Sequence, residues 1–349
     1  MKNGRTTIRD VAKDAEVSIA AVSKVLRKAG GISDPTRQRI EASIAKLNYR
    51  PLISARGMRG QTYNLGIVLS DIANPFFSEI LVGIHAVLDN TPYQPLLGVT
   101  MGKAAREQAL INAMVDRQVD GVILIAPHLG ERSLSELSRQ MPIVTFGYHK
   151  PDADTFDTVN IEDVMGGEIA VDHLVAGGHR NIMMLSSIAE PEERPRELTG
   201  TYQREQGYHN AMKRAGLEQY ARVVRARPDP DEIGRQVRTL LAGENRPTAL
   251  FCWADFYAFH VLSIAKDLGM EIPRDLAVVG FDNTPSCRLK QNDLSSVDQS
   301  GAVLGERAAK ALIERINGRK QAAHTLLLPR LAVRGSSQIE ATEHDAAGT

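Results

Sequence analysis

Four groups of residues in this 349-residue chain have the types and spacing to hold a small polar molecule. Asn74-Pro75-Phe76-Phe77 falls between an apolar run and a helical pattern, where ligands of open α/β sheets bind. Two aromatics there can stack on a sugar ring or a base, or simply begin the core of a helix. Asp282 ends the run Val278-Val279-Gly280-Phe281, where a carboxylate accepts hydrogen bonds from ligand hydroxyls or caps a turn. Trp253 and Asp255 follow Phe251-Cys252 at the same kind of position. Arg204 opens an Arg-x-x-Gly-Tyr pattern with Gly207 and Tyr208. Its guanidinium can clamp a carboxylate or hydroxyls, and the same spacing suits a surface salt bridge.

Signals for catalysis are weaker. Residues 98–104 (GVTMGKA) are one residue short of a phosphate-binding loop, and Ala104 stands where a Mg²⁺-binding Ser or Thr belongs. No GxGxxG follows the first strand, and GxSxG, HExxH and a calcium loop are missing. Asp152, Asp154 and Asp157 lack the central glycine of such a loop and read as turn residues. His173 and His179 read as helical residues. Cys252 and Cys287 form no CxxC, so neither a disulfide framework nor a zinc site is expected. Nothing pairs a nucleophile with a base. The expectation is a protein that is not an enzyme, with no cofactor and no metal.

The elements that must position these residues follow from periodicity. From Asn64 onward, apolar strand-like runs alternate with helical ones. The strand-like runs are 64–70, 95–99, 121–126, 142–147, 180–186, 221–226, 248–252 and 276–281. This alternation predicts doubly wound parallel sheets, and the number of strands predicts two similar α/β lobes. A last helix over 302–317 and short runs at 326–328 and 331–333 follow, with a polar end.

The first sixty residues differ in kind. They carry 13 Lys and Arg against 5 Asp and Glu, whereas the rest of the chain carries 29 against 37. A basic head on an acidic body suits a polyanion partner. Ile8, Val11, Ala12 and Ala15 share one helical face; Val22, Val25 and Leu26 mark a second helix, and Ile40, Ile44 and Leu47 a third. Thr6 or Thr7, Ser18, and Ser33 or Asp34 are placed to cap them, with Pro35 in the third helix's first turn. This is the pattern of a helix-turn-helix DNA reader. Residues 50–62 form a basic linker with a weak helical run. The start of the chain has no apolar stretch typical of a secretory signal, and no run of 18 apolar residues exists, so a cytoplasmic location without membrane is expected.

The chain from about residue 6 to about 337 resembles the lactose-repressor/galactose-repressor (LacI/GalR) family of bacterial transcription regulators. The head motif TIRDVAKDAEVSIAAVSKVL followed by ISDPTRQRIEASIAKLNYRP carries the resemblance. So do LGIVLSDIANPFFSEIL, VDGVILIAP, HLVAGGHRNI, RxxGY, PTALFCWAD and IPRDLAVVGFDN. It implies a small all-α helix-turn-helix head plus hinge helix, joined to a two-lobed α/β core that is periplasmic-binding-protein-like and Rossmann-like. The implied boundaries are 1–50 for the head and 51–62 for the hinge helix and linker. Lobe 1 is expected over 63–160 and 292–323, lobe 2 over 161–291 and 324–338, and a tail over 339–349.

The resemblance also implies roles. Ile19, Ala20 and Lys24 match base-facing positions, while Ser18, Ser23, Ser33 and Thr36 match phosphate-contacting ones, and Thr7 is a further DNA-binding candidate. Lys24 can reach guanine O6 and N7, whereas Ile19 and Ala20 offer only apolar contact. Met58 stands where the family drives a Leu into the minor groove, beside Gly57, which weakens a helix. Glu16 stands at a turn where the family often has Gly. Asp71, Phe76, Phe77, Arg204, Asp255 and Asp282 fall at effector positions, and Trp253 joins them as a candidate from its place after a strand-like run. The family's Asp-Asn loop corresponds to Ile161-Glu162-Asp163, and its frequent Asn before Asp255 is Ala254. The implied function is a DNA-binding transcriptional repressor, homodimeric on a pseudo-palindromic operator and controlled by a small effector, a sugar or sugar derivative. The alternative is a ligand-binding protein of the sugar-binding type without a DNA role.

Overall fold

The computed structural model describes residues 6–26, 29–49, 61–188 and 195–338. The chain divides into two compact units, Met1–Thr62 and Tyr63–Thr349. The expected hinge helix over 51–59, Met58 with it, and the tail over 339–349 lie outside the described residues.

In the first unit, α1 (Ile8–Asp14), α2 (Ile19–Leu26) and α3 (Asp34–Lys46) surround a small apolar centre. Val11, Ala15, Val22, Val25 and Ile40 are buried in it, and Ile8, Leu26, Ile44 and Leu47 pack against it. The helix ends are held by local polar bonds. The Asp10 carboxylate accepts from the Thr7 N–H at 2.8 Å and from the Thr7 hydroxyl at 2.7 Å. An acid in the first turn therefore secures α1, partly through the backbone donors that a helix start leaves open. Ser18 Oγ accepts from Ala21 N at 3.2 Å at the start of α2. Between these helices Glu16 takes φ +51°, a left-handed conformation that glycine adopts at lower cost.

The second unit alternates strands and helices. Its first part holds β1 (Asn64–Leu69), α4 (Pro75–Leu88), β2 (Gln94–Val99), α5 (Ala104–Asp116), β3 (Gly121–Ile125), α6 (Glu131–Ser138), β4 (Ile143–Phe146) and β5 (Asp157–Ile161). Then come α7 (Asp163–Ala176), β6 (Ile182–Ser187), α8 (Gly200–Arg214), β7 (Arg222–Ala226), α9 (Pro230–Ala242), β8 (Ala249–Cys252), α10 (Asp255–Asp267) and β9 (Ala277–Asp282). The last elements are β10 (Ser295–Asp298), α11 (Gly301–Ile316), β11 (His324–Leu327) and β12 (Arg330–Ala332). One sheet has the order β11-β5-β4-β3-β1-β2 and is parallel throughout. The other has the order β12-β10-β9-β8-β6-β7, with β12 antiparallel at its edge. Central strands such as Leu65–Leu69 are buried on both faces, which is why they read as continuous apolar runs.

The chain crosses between sheets after β5, after β10, and between β11 and β12. Two crossings correct the expected lobe boundaries of 292 and 324. β10 pairs with β9 in the second sheet, so 295–298 belong to lobe 2. β11 pairs with β5, so 324–327 belong to lobe 1. Short strands give too little apolar signal to mark the exchange. β5 and β10 themselves fall outside the strand-like runs because they are polar yet buried. Their polar atoms are paired instead: Asp157 with Arg319, Asn160 Nδ2 with Tyr148 O at 2.9 Å, and Ser296 Oγ with Asp255 at 2.5 Å.

Helices α7 and α8 pack unusually close. A Cβ on Gly207 would stand 2.1 Å from Val164 O, and one on Gly167 2.6 Å from Arg204 O. Glycine at these two places lets the backbones touch. Tyr208, next along α8, is fully buried and donates its hydroxyl to Ile182 O at 2.9 Å. The Arg-x-x-Gly-Tyr pattern thus docks α8 onto α7 and β6, and this fixes where Arg204 points.

Candidate functional site

The carboxyl ends of the strands in both sheets face a cleft of about 740 Å³. Its volume lies within the range of about 300–1,000 Å³ typical of small-molecule sites. Lobe 1 contributes Asn74, Phe76, Phe77 and Phe146; lobe 2 contributes Asp163, Arg204, Trp253, Asp282 and Gln299. Several wall residues hold left-handed backbone, namely Met101 at φ +53°, Ala126 at +51° and Asp282 at +116°. Such conformations cluster at ligand sites because the surrounding fold must enforce them.

Arg204 is the organising cation. Its Nε donates to Asp163 Oδ1 at 2.7 Å and its Nη1 to the Trp253 carbonyl at 2.7 Å. The guanidinium lies 3.7 Å from the centroid of Phe281 and 5.4 Å from that of Trp253. The second Asp163 oxygen meets His149 Nε2 at 2.9 Å, and all three side chains are largely buried. Burial opposes ionisation of Asp163, but the charge of Arg204 and the bond from His149 outweigh it and hold the carboxyl below its usual range.

Asp282 is the second polar centre. Gln299 Nε2 donates to its Oδ1 at 2.5 Å, and Asn74 Nδ2 from the opposite lobe approaches its Oδ2 at 3.5 Å. Burial, with the nearby charge of Asp255, pushes this carboxyl well above the usual carboxylate range, against the pull of Arg204. Contacts also join the lobes elsewhere. His149 N donates to Leu198 O at 3.0 Å, and Tyr148 bridges Thr199.

Five of the seven expected effector residues line this cleft: Phe76, Phe77, Arg204, Trp253 and Asp282. Two are corrections. Asp255 is 1% exposed and points into the fold, where Thr284 N, Thr284 Oγ1, Cys287 Sγ and Ser296 Oγ all donate to it. It begins α10 after β8 as expected, but its oxygens are spent on the β9–β10 connection. Asp71 lies outside the cleft wall and accepts from Ala73 N at 2.8 Å, shaping the turn after β1. Glu162 caps α7 through Met165 N at 2.6 Å, so Asp163 takes the inward position. Sequence reasoning missed Asp163, His149 and Gln299 as site residues. Only Asp163 carried a signal, its place in the loop that resembles the family's Asp-Asn pair. Among the described residues no group of three or more His, Cys, Asp or Glu could hold a metal ion, and no helix is long and apolar enough to cross a membrane.

On the head, Ser18, Ile19, Ala20 and Lys24 are exposed along the start and outer face of α2. Ile19 keeps 46% of its surface accessible, high for an isoleucine. Thr7 and Ser33 are exposed, and Ser23 and Thr36 half-buried. The Ser33 and Thr36 hydroxyls lie 2.9 Å apart at the start of α3.

Comparison with known proteins agrees with this geometry. A model described as bacterial regulatory proteins, lacI family, matches residues 7–51, and one for a periplasmic binding protein-like domain matches 171–337. The chain is 32% identical over 339 residues to the HTH-type transcriptional regulator DegA of Bacillus subtilis, covering 95% of this chain and 98% of that one. It is 30% identical over 336 residues to the HTH-type transcriptional repressor CytR of Escherichia coli, covering 95% and 96%. Among solved structures, the lac repressor dimer bound to operator and the anti-inducer ONPF superposes with a TM-score of 0.81 at 21% identity, over 96% of this chain and all of that one, a likeness of fold. The transcriptional regulator CelR in complex with cellobiose gives a TM-score of 0.68 at 26% identity, covering 95% of this chain and 100% of that one.

Proposed function

We propose a function from the premise that this chain belongs to the lacI family of bacterial regulatory proteins. It is a DNA-binding transcriptional repressor whose operator affinity is set by a small ligand held between the lobes. The observation that carries this reading is the two-sided cleft. Its polar centre is tied to both lobes, Asn74 to Asp282 on one side and His149 to Asp163 on the other. A ligand seated there meets both lobes at once and binds one lobe pose better than another. That difference is all a ligand needs to shift a conformational equilibrium.

The head supplies the reader. Lys24 donates to guanine O6 and N7, while Ile19 and Ala20 give apolar contact to a thymine methyl. Ser18, Ser23, Ser33 and Thr36 set the register on phosphates, and Thr7 lies with them among the DNA-binding residues. Met58 is the wedge at the operator centre. The chain acts as a homodimer on a pseudo-palindromic site, as a two-fold reader requires. Phe76, Phe77, Arg204, Trp253 and Asp282 hold the effector, a carbohydrate or carbohydrate derivative, in keeping with the cellobiose of the CelR complex. The ligand is released unchanged, the protein is not an enzyme, and it works in the cytoplasm, where its DNA is.

Binding of the full chain to genomic fragments at 50 and 200 mM salt tests the DNA half. A specific reader making several phosphate contacts loses about 10³–10⁵ in affinity across that interval. Weak binding that salt leaves unchanged overturns it.

A further inference from the structure

Two polar atoms of cleft-lining residues are left over after the protein's own bonds are made. The Trp253 indole Nε1 and the Gln299 amide Oε1 are both buried and find no partner among the described residues. Buried polar atoms in native folds are satisfied in the great majority of cases, so each such exception asks for a partner. Both residues line the cleft. Neither is loosely held. The Trp253 carbonyl accepts from Arg204, and its ring meets Tyr257 edge-on with centroids 5.7 Å apart. Gln299 is 1% exposed, with its amide nitrogen committed to Asp282.

The buried cation of the floor is already paired, while the exposed Lys103 and Asp229 carry opposite charges on the cleft wall. The Arg204 guanidinium is neutralised within the protein by Asp163, at 2.7 Å, so it offers an incoming anion no net charge. On the cleft wall, Arg227 is paired with Glu232 at 3.1 Å. Aromatic walls from Phe77, Phe146 and Trp253 complete a slot suited to the face of a ring.

We propose that Trp253 and Gln299 are the specificity-determining pair of the cleft, reading one acceptor and one donor of an uncharged ring. The indole N–H donates to the ligand, and the Gln299 oxygen accepts from it. A hydroxyl-bearing sugar edge and a nucleobase amide edge both present this pattern. The inference rests on the proposed reading of the cleft as the effector site, and it adds which atoms choose the effector and what charge they admit.

The test uses the full chain and a panel of neutral pentoses, hexoses, disaccharides and nucleosides, including D-ribose, D-glucose, cellobiose and adenosine, with D-glucuronate as a charged counterpart. Trp253 is the single tryptophan of the chain. Its emission therefore reports on the cleft without any label. A neutral compound that shifts this emission saturably is expected, and the sugar or nucleoside arm that responds identifies the source of the edge. Calorimetry on Trp253→Phe, which keeps a ring but no N–H, and on Gln299→Met, which keeps length but no acceptor, then reads the pair. Each is expected to weaken binding about tenfold, as loss of one buried hydrogen bond does. Circular dichroism and the urea midpoint establish that both variants are folded. Glucuronate is expected to bind at least tenfold more weakly than glucose; equal binding overturns the uncharged-ring assignment. Unchanged affinity in both variants overturns the pair alone, since solvent would then be satisfying the two atoms. Binding by no member of the panel overturns the reading of the cleft itself.

Discussion

Arg204 Nε and Asp163 Oδ1 stand 2.7 Å apart at the meeting of α8 and α7, with side chains 9% and 4% exposed. One carboxylate thus does two things. It orients the guanidinium that forms the cleft floor, and through His149 it fastens a loop of the opposite lobe.

Replacing Asp163 with Asn leaves Arg204 buried without its counter-ion. Breaking a buried pair from one side typically costs about 3–5 kcal/mol, whereas replacing both partners by apolar groups is often near neutral. The expected outcome in urea unfolding is therefore a large loss for Asp163→Asn and a much smaller one for Asp163→Leu with Arg204→Met. Equal losses in the two proteins contradict the assignment.

Asp163 and Asp282 titrate with opposite consequences. The Asp163 carboxyl is held low in the folded state, so its stabilisation is present above the unfolded value of about 3.9 and fades as pH falls. The Asp282 carboxyl is held high. Its contribution is complete below about pH 3.9 and is lost as pH rises toward the folded value. Asp282→Asn removes that loss. Its stability relative to the parent chain is expected to increase as pH rises above about 4 and to level off once the folded value is passed, read by equilibrium unfolding; a difference that stays flat contradicts the protonated carboxyl.

Much of this organisation was legible in the residues. The alternating apolar runs placed most of the strands, and the Arg-x-x-Gly-Tyr pattern pointed to Arg204. What was hidden has a physical reason in each case. Asp163 is 41 residues from Arg204, and no local pattern links a helix start to a helix one unit further on. Asp255 and Asp282 both sit at strand ends, and position alone does not reveal that one turns into the fold and the other toward the cleft. β5 and β10 carry too many polar residues for a hydrophobic pattern, because their burial is offset by pairing rather than by apolar surface.

Glu16 holds φ +51° between α1 and α2. Relieving that strain with glycine is expected to stabilise the head by about 1 kcal/mol. Hydrogen exchange in the full chain reads it as roughly fivefold greater protection of the α1 and α2 amides. Unchanged or weaker protection contradicts a strained turn.

Lys24 and Thr36 are expected to differ in kind on the operator selected from genomic fragments. Lys24→Ala costs about 1–3 kcal/mol and relaxes the preference at one base pair. Thr36→Val weakens binding about equally across sequences, since a phosphate contact carries no base information. Affinity measured over a set of single-base operator variants separates the two patterns, and identical profiles for both substitutions contradict the assigned roles.

The account turns on coupling between cleft and operator. The most direct measurement is the operator dissociation constant of the full chain, at fixed salt, with and without a saturating amount of the neutral ring compound that shifts Trp253 emission. The predicted result is a change of about 5- to 150-fold, the usual span of coupling between two sites. An operator affinity that stays the same while the cleft is saturated contradicts it.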